Sequence, residues 1–75
     1  MRANPAGDWS VGDISRVCRS FGISFEAPTR GSHYKVSHSS QVAIVTIPYK
    51  RPIKPVYIRN FVRFVDCVRS GGEYV

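Results

Sequence analysis

Acidic residues are scarce in this 75-residue chain, and the scarcity is uneven. Eleven Lys and Arg stand against five Asp and Glu, a formal charge of +6 at pH 7. From Ala27 to Val65 there is no acid at all, while Arg30, Lys35, Lys50, Arg51, Lys54, Arg59 and Arg63 all fall inside that stretch. A surface made basic only for solubility would intersperse the two signs. A field of one sign on so small a body attracts polyanions, so nucleic acid or another acidic partner is expected.

Cysteine is nearly missing too. Two cysteines are too few to staple a mini-protein, and no Cys or His spacing resembles a zinc site, so neither a metal nor another cofactor is expected. Cys18 falls on the apolar face of one predicted helix and Cys67 on the polar side of another, which predicts two free thiols in a reducing cytoplasm. No apolar run approaches the roughly 20 residues that span a bilayer, so no membrane role is expected. Residues 1–8 lack the apolar core of a signal peptide, and residues 1–9 read as a flexible lead-in. Gly-rich phosphate loops, paired carboxylates and Ser/His/Asp spacings are likewise absent. With 43% apolar residues the chain has enough for one ordered domain, though its core must be thin, since a chain this short buries only about 60% of its unfolded surface.

The residues that are present sort into five elements. Ser10 with Asp13 makes a capping-box-like pair, and Ile14, Val17, Cys18 and Phe21 follow at i, i+3, i+4 and i+7, which predicts a helix over 10–21 stopped by Gly22. Ile23–Ala27 alternates as a short strand, and Pro28–Gly31 turns the chain. Over 32–38 the alternation places Tyr34, Val36 and His38 on one face and His33, Lys35 and Ser37 on the other. The β-branched run Val42–Ile47 reads as a central, well-buried strand that Pro48 ends. A basic loop over 49–54 leads to Pro55 and a second helix, whose stripe is Ile58, Phe61, Val62, Val65 and Val68 and whose stop is Gly71-Gly72. The predicted class is α+β in the order α-β-β-β-α: a three-stranded antiparallel sheet with two helices on one face, the layout of the double-stranded-RNA-binding fold. One domain over 10–70 would carry it, with 71–75 as a tail.

One residue in this set is suited to acid–base chemistry. His33 starts a strand amid cations, and an imidazole can accept a proton at neutral pH. RNA brings its own nucleophile, the 2′-hydroxyl, so a positioned base needs no metal if nearby cations stabilise the phosphorane. Arg30, Lys35, Lys50 and Arg51 suit that second task, and Gly31 would let the backbone approach a phosphate. Ser32 is no nucleophile for His33, because strand neighbours point to opposite faces. His38 reads as a packed or edge histidine, and Tyr49 and Tyr57 flank the basic loop as possible base-stacking platforms.

Three segments resemble a known family. Gly31-Ser32-His33-Tyr34-Lys35-Val36, Val45-Thr46-Ile47-Pro48 and Ile53-Lys54-Pro55-Val56-Tyr57-Ile58-Arg59 are together similar to the HicA (YcfA-like) toxins of bacterial toxin–antitoxin pairs, over about Ser10 to Val68. Where many members carry further histidines, this chain has Tyr34 and Tyr49. The resemblance implies a double-stranded-RNA-binding-like fold and metal-independent cleavage of mRNA in the cytoplasm. It implies His33 as the catalytic histidine, Gly31 as the motif glycine, and a HicB-like antitoxin as protein partner. Arg30, Gly31, Ser32, Lys35, Lys50, Arg51 and Lys54 are then the residues expected on RNA. The competing expectations are a non-catalytic RNA-binding module and a protein-interaction module whose basic face docks an acidic partner.

Overall fold

In the computed structural model, which describes residues 1–74, the elements are α1 (Val11–Ser20), β1 (Ser24–Glu26), β2 (His33–Ser37), β3 (Val45–Pro48) and α2 (Pro55–Ser70). The strands form one antiparallel sheet in the order β1-β2-β3. The fold is therefore the expected α-β-β-β-α arrangement.

α1 starts where its cap dictates. The Ser10 amide donates to the Asp13 carboxylate at 2.9 Å, and the Ser10 hydroxyl donates to the same oxygen at 3.1 Å. Those bonds hold the Asp13 carboxyl below the usual carboxylate range. At the other end Gly22 takes φ +65, and the Ile23 amide reaches back to the Cys18 carbonyl at 2.9 Å, the six-residue closure of a Schellman stop. That turn delivers Ile23 into the core beside Cys18.

The core lies between the two helices and one face of the sheet. Ile14 and Cys18 come from α1, Ile58, Phe61, Phe64 and Val65 from α2, and Val36, Val45 and Ile47 from the sheet. Pairing puts Phe25, Val36 and Val45 in one cross-strand row. Phe25 stacks on Tyr34 with ring centroids 4.8 Å apart, extending that apolar face toward its edge.

The third strand departs from its expected form. β2, not β3, is central, and β3 begins at Val45 rather than Val42. Val42 is 89% exposed and Ile44 57% exposed, so the β-branched run is only half strand. Pro48 belongs to β3. The Tyr49 amide donates to the Ser32 carbonyl at 3.0 Å, which makes His33 and Pro48 a non-hydrogen-bonded pair. Proline there costs no ladder bond, because its nitrogen faces the open edge.

Residues 1–9 are docked against the domain instead of trailing from it. Both Arg2 guanidinium nitrogens donate to Asp66 on α2, one of them at 2.7 Å. The Ile53 amide donates to the Trp9 carbonyl at 3.0 Å, and Met1 packs against the core. The tail is held as well. Buried Gln41 donates to the Gly72 carbonyl at 2.6 Å and accepts the Tyr74 amide at 2.7 Å. The last residue of the expected 71–75 tail lies outside the described residues.

Two outcomes follow from this packing. Phe61→Ala should lose about 3–5 kcal/mol, while Val42→Ala should stay within about 0.5 kcal/mol, both read by urea denaturation. Burial pushes the Cys18 thiol up to about 11, whereas Cys67 is half-buried on α2. A thiol reagent at pH 8 should therefore label Cys67 first, and Cys18 only on unfolding; equal rates at the two thiols would contradict the packing of α1.

Candidate nucleic-acid interface

Strand alternation divides the sheet into a covered face and an open one. With Tyr34, Val36, Val45 and Ile47 turned to the helices, His33, Lys35 and Thr46 face outward and are exposed. Across the strands one outward row is Glu26, Lys35 and Thr46, and the next is His33 and Pro48. Glu26 therefore sits directly opposite Lys35. Cross-strand partners of opposite sign attract, so an acid stands opposite the cation expected for phosphate, without an ion pair between the two among the described residues.

The two histidines differ in their surroundings. His33 opens β2, and its ring makes no hydrogen bond among the described residues. Both ring nitrogens are available to a ligand. His38 is tied into the β2–β3 turn, where its Nδ1 accepts the Ser40 amide at 3.0 Å and lies 2.7 Å from the Ser40 hydroxyl. Its Nδ1 is used locally, one residue beyond the end of β2.

Gly31 has a conformational reason to be glycine. Its φ is +81, a region where a side chain is strained, and among the described residues nothing beyond its own two chain neighbours lies within 4 Å of where a Cβ would stand. The turn thus needs glycine and leaves the space above it open. Ser32 is half-buried, with its carbonyl in the ladder to Tyr49, and Arg30 is exposed just before it.

The remaining cations gather elsewhere. Lys50, Arg51 and Lys54 line a pocket of about 410 Å³ together with Pro48, Pro52 and Tyr57. His33, Arg30 and Lys35 do not line it. The expected single basic cluster is therefore two neighbouring groups, joined at Pro48, which lines the pocket and pairs with His33. Non-hydrogen-bonded partners have their Cα atoms about 4.5 Å apart, so the junction is close. Tyr57 is at the pocket, while Tyr49 is exposed outside its lining.

Arg51 is already engaged. Its Nε and Nη2 donate to the two oxygens of Asp8, each at 2.9 Å. By contrast Arg30, Lys35, Lys50, Lys54 and Arg59 form no ion pair among the described residues. Asp8 and Glu26 are the residues that reading the sequence missed. Glu26 carried a signal, since a tight meander brings the end of the first strand against the second. Nothing in the spacing pointed to Asp8.

Among the described residues no cluster of three or more His, Cys, Asp or Glu is placed to hold a metal, and no helix is long and apolar enough to cross a membrane. No protein-family model, no curated protein and no solved structure matches this chain.

The Glu26–Lys35 row makes a two-sided test. Glu26→Gln should strengthen binding of a single-stranded oligoribonucleotide, and Lys35→Gln should weaken it and lower the log–log salt slope by about 0.7. Fluorescence anisotropy across a salt series reads both, and equal affinities for the two variants would remove this face from the interface.

Proposed function

We propose that this chain is a metal-independent endoribonuclease that cuts mRNA, arrests translation and is held in check by a small acidic antitoxin of the HicB kind. The observation that carries the reading is the exposed His33 ring, without a fixed partner among the described residues, on the one sheet face the helices leave open. Arg30 on the turn before β2 and Lys50 in the loop after β3, neither with an ion-pair partner among the described residues, flank it. Similarity of the Gly31-Ser32-His33 segment to the HicA toxins points the same way.

The chemistry needs little beyond these residues. His33 removes the 2′-hydroxyl proton as that oxygen attacks the adjacent phosphorus. The bond from phosphorus to the 5′-oxygen breaks, and the departing oxygen takes up a proton. The products are a 2′,3′-cyclic phosphate and a 5′-hydroxyl. Arg30 and Lys35, with the pocket lysines, stabilise the charge that builds on phosphorus. A positioned base supplies roughly 10²- to 10⁴-fold. Among the described residues no carboxylate or second ring holds the His33 imidazole, so the enzyme is expected to be slow.

That same unanchored ring favours one other reading, an RNA-binding module without catalysis. Purified protein, freed of any partner and assayed on RNA in chelator, separates the two. Cleavage should persist without metal and fall by about 10²- to 10⁴-fold in His33→Ala, whose exposed ring can be removed without disturbing the core. Intact RNA after long incubation with tight, salt-sensitive binding would establish the binding module instead. Undiminished cleavage by a folded His33→Ala protein would remove His33 from the chemistry.

A further inference from the structure

The pocket between β3 and α2 has walls of two kinds. Pro48, Pro52 and Tyr57 supply ring surfaces, while Lys50, Arg51 and Lys54 supply positive charge, and no acid among the described residues lines it. Its volume of about 410 Å³ lies within the roughly 300–1,000 Å³ typical of small-ligand sites. An inorganic anion would use the cations and leave the rings idle. An apolar ligand would do the reverse.

The start of α2 adds to the positive potential. Lys54 is the residue capping the helix, Pro55 follows it, and the first turn contains no acid. Helix N-termini carry partial positive charge and favour anions, so a lysine there is unfavourable unless an anion sits nearby. Asp8 lies on the Arg51 fork with two parallel hydrogen bonds, the geometry a phosphate adopts on a guanidinium. Both partners are largely exposed, and exposed pairs are weak and screened by salt. The neighbouring Trp9 carbonyl is fastened to the Ile53 amide, so Asp8 can swing away while the backbone stays docked.

We propose that this pocket binds one nucleotide, its base against Tyr57 and its phosphate on Lys50, Arg51 and Lys54, in competition with the Asp8 carboxylate. Pro48 places that nucleotide beside His33 across the β2–β3 pair, so on the ribonuclease reading it is a flanking residue of the cleaved strand. Mononucleotide binding itself does not depend on cleavage.

The test is calorimetric titration of the whole chain with adenosine 5′-monophosphate, adenosine, inorganic phosphate and an oligoglutamate peptide. The monophosphate should bind more tightly than any of the other three. Tyr57→Leu should weaken it by about 5- to 100-fold, the range for loss of one stacked base. Asp8→Asn should tighten it, and Lys50→Gln, on an exposed loop that tolerates change, should weaken it. Phosphate or oligoglutamate binding as tightly as the monophosphate would make the pocket a general anion socket and overturn the inference, as would no binding. An unchanged affinity in Asp8→Asn would overturn the competition. Assaying RNA cleavage by the same unaltered protein separates the two readings: RNA cut with the pocket empty sinks only the pocket, and a filled pocket with RNA intact sinks only the nuclease.

Discussion

Packing of the cross-strand row Phe25, Val36 and Val45 against the helices decides which way every other strand residue points. Side chains alternate along a strand, so turning Val36 to the helices turns Lys35 and Ser37 away from them. The same choice sends His33 outward and Tyr34 inward. Two helices provide enough apolar surface to cover one sheet face and no more. The bare face is thus a by-product of a small core, and it is where His33 and Lys35 stand. A one-residue slip of β2 would place His33 and Lys35 under α2 and expose Val36, at a cost this thin core could not absorb.

Charge follows a second logic, set by sequence separation rather than by the strands. Asp13 is used at the cap of α1, Asp66 holds Arg2, and Asp8 holds Arg51. Glu26 sits against Lys35. Asp13, Asp66 and Asp8 are thereby engaged, and among the described residues cations without an ion pair remain around the β2 start and the α2 start. The charge is less uniformly spread than a formal +6 suggests, and three of its cations line the pocket, away from the sheet centre.

Much of the fold was legible because local rules carried it. Ser10, Asp13 and Gly22 mark the ends of α1 by hydrogen bonds within a few residues, and the Ile58–Val65 stripe marks α2 by its period. β3 was harder. A run of Val, Ile and Thr suits a pleated surface whether or not anything covers it, so Val42 and Ile44 looked buried and are not. Its edge position follows from connectivity: in a three-strand meander the second strand is the middle one. For the site, the residues His33 and Gly31 stood out by type. The division of the cations into two groups did not, because it depends on how the 49–54 loop folds onto α2. The contacts of Arg2 and Asp8 join residues 64 and 43 positions apart, and no local pattern encodes them.

Pro48 matters in one more way. β3 is an edge, and edges invite pairing with strands of other molecules. In an antiparallel pair the residues that do not bond to the neighbour turn their amides outward, which in β3 means Thr46 and Pro48. Proline has no amide hydrogen, so Thr46 alone can donate along that border of β3. A second copy arriving there would find one rung of a ladder, next to the exposed Val42 and Ile44 that would otherwise reward it. The residue that rims the pocket also makes this side of the sheet a poor seed for fibrous self-association.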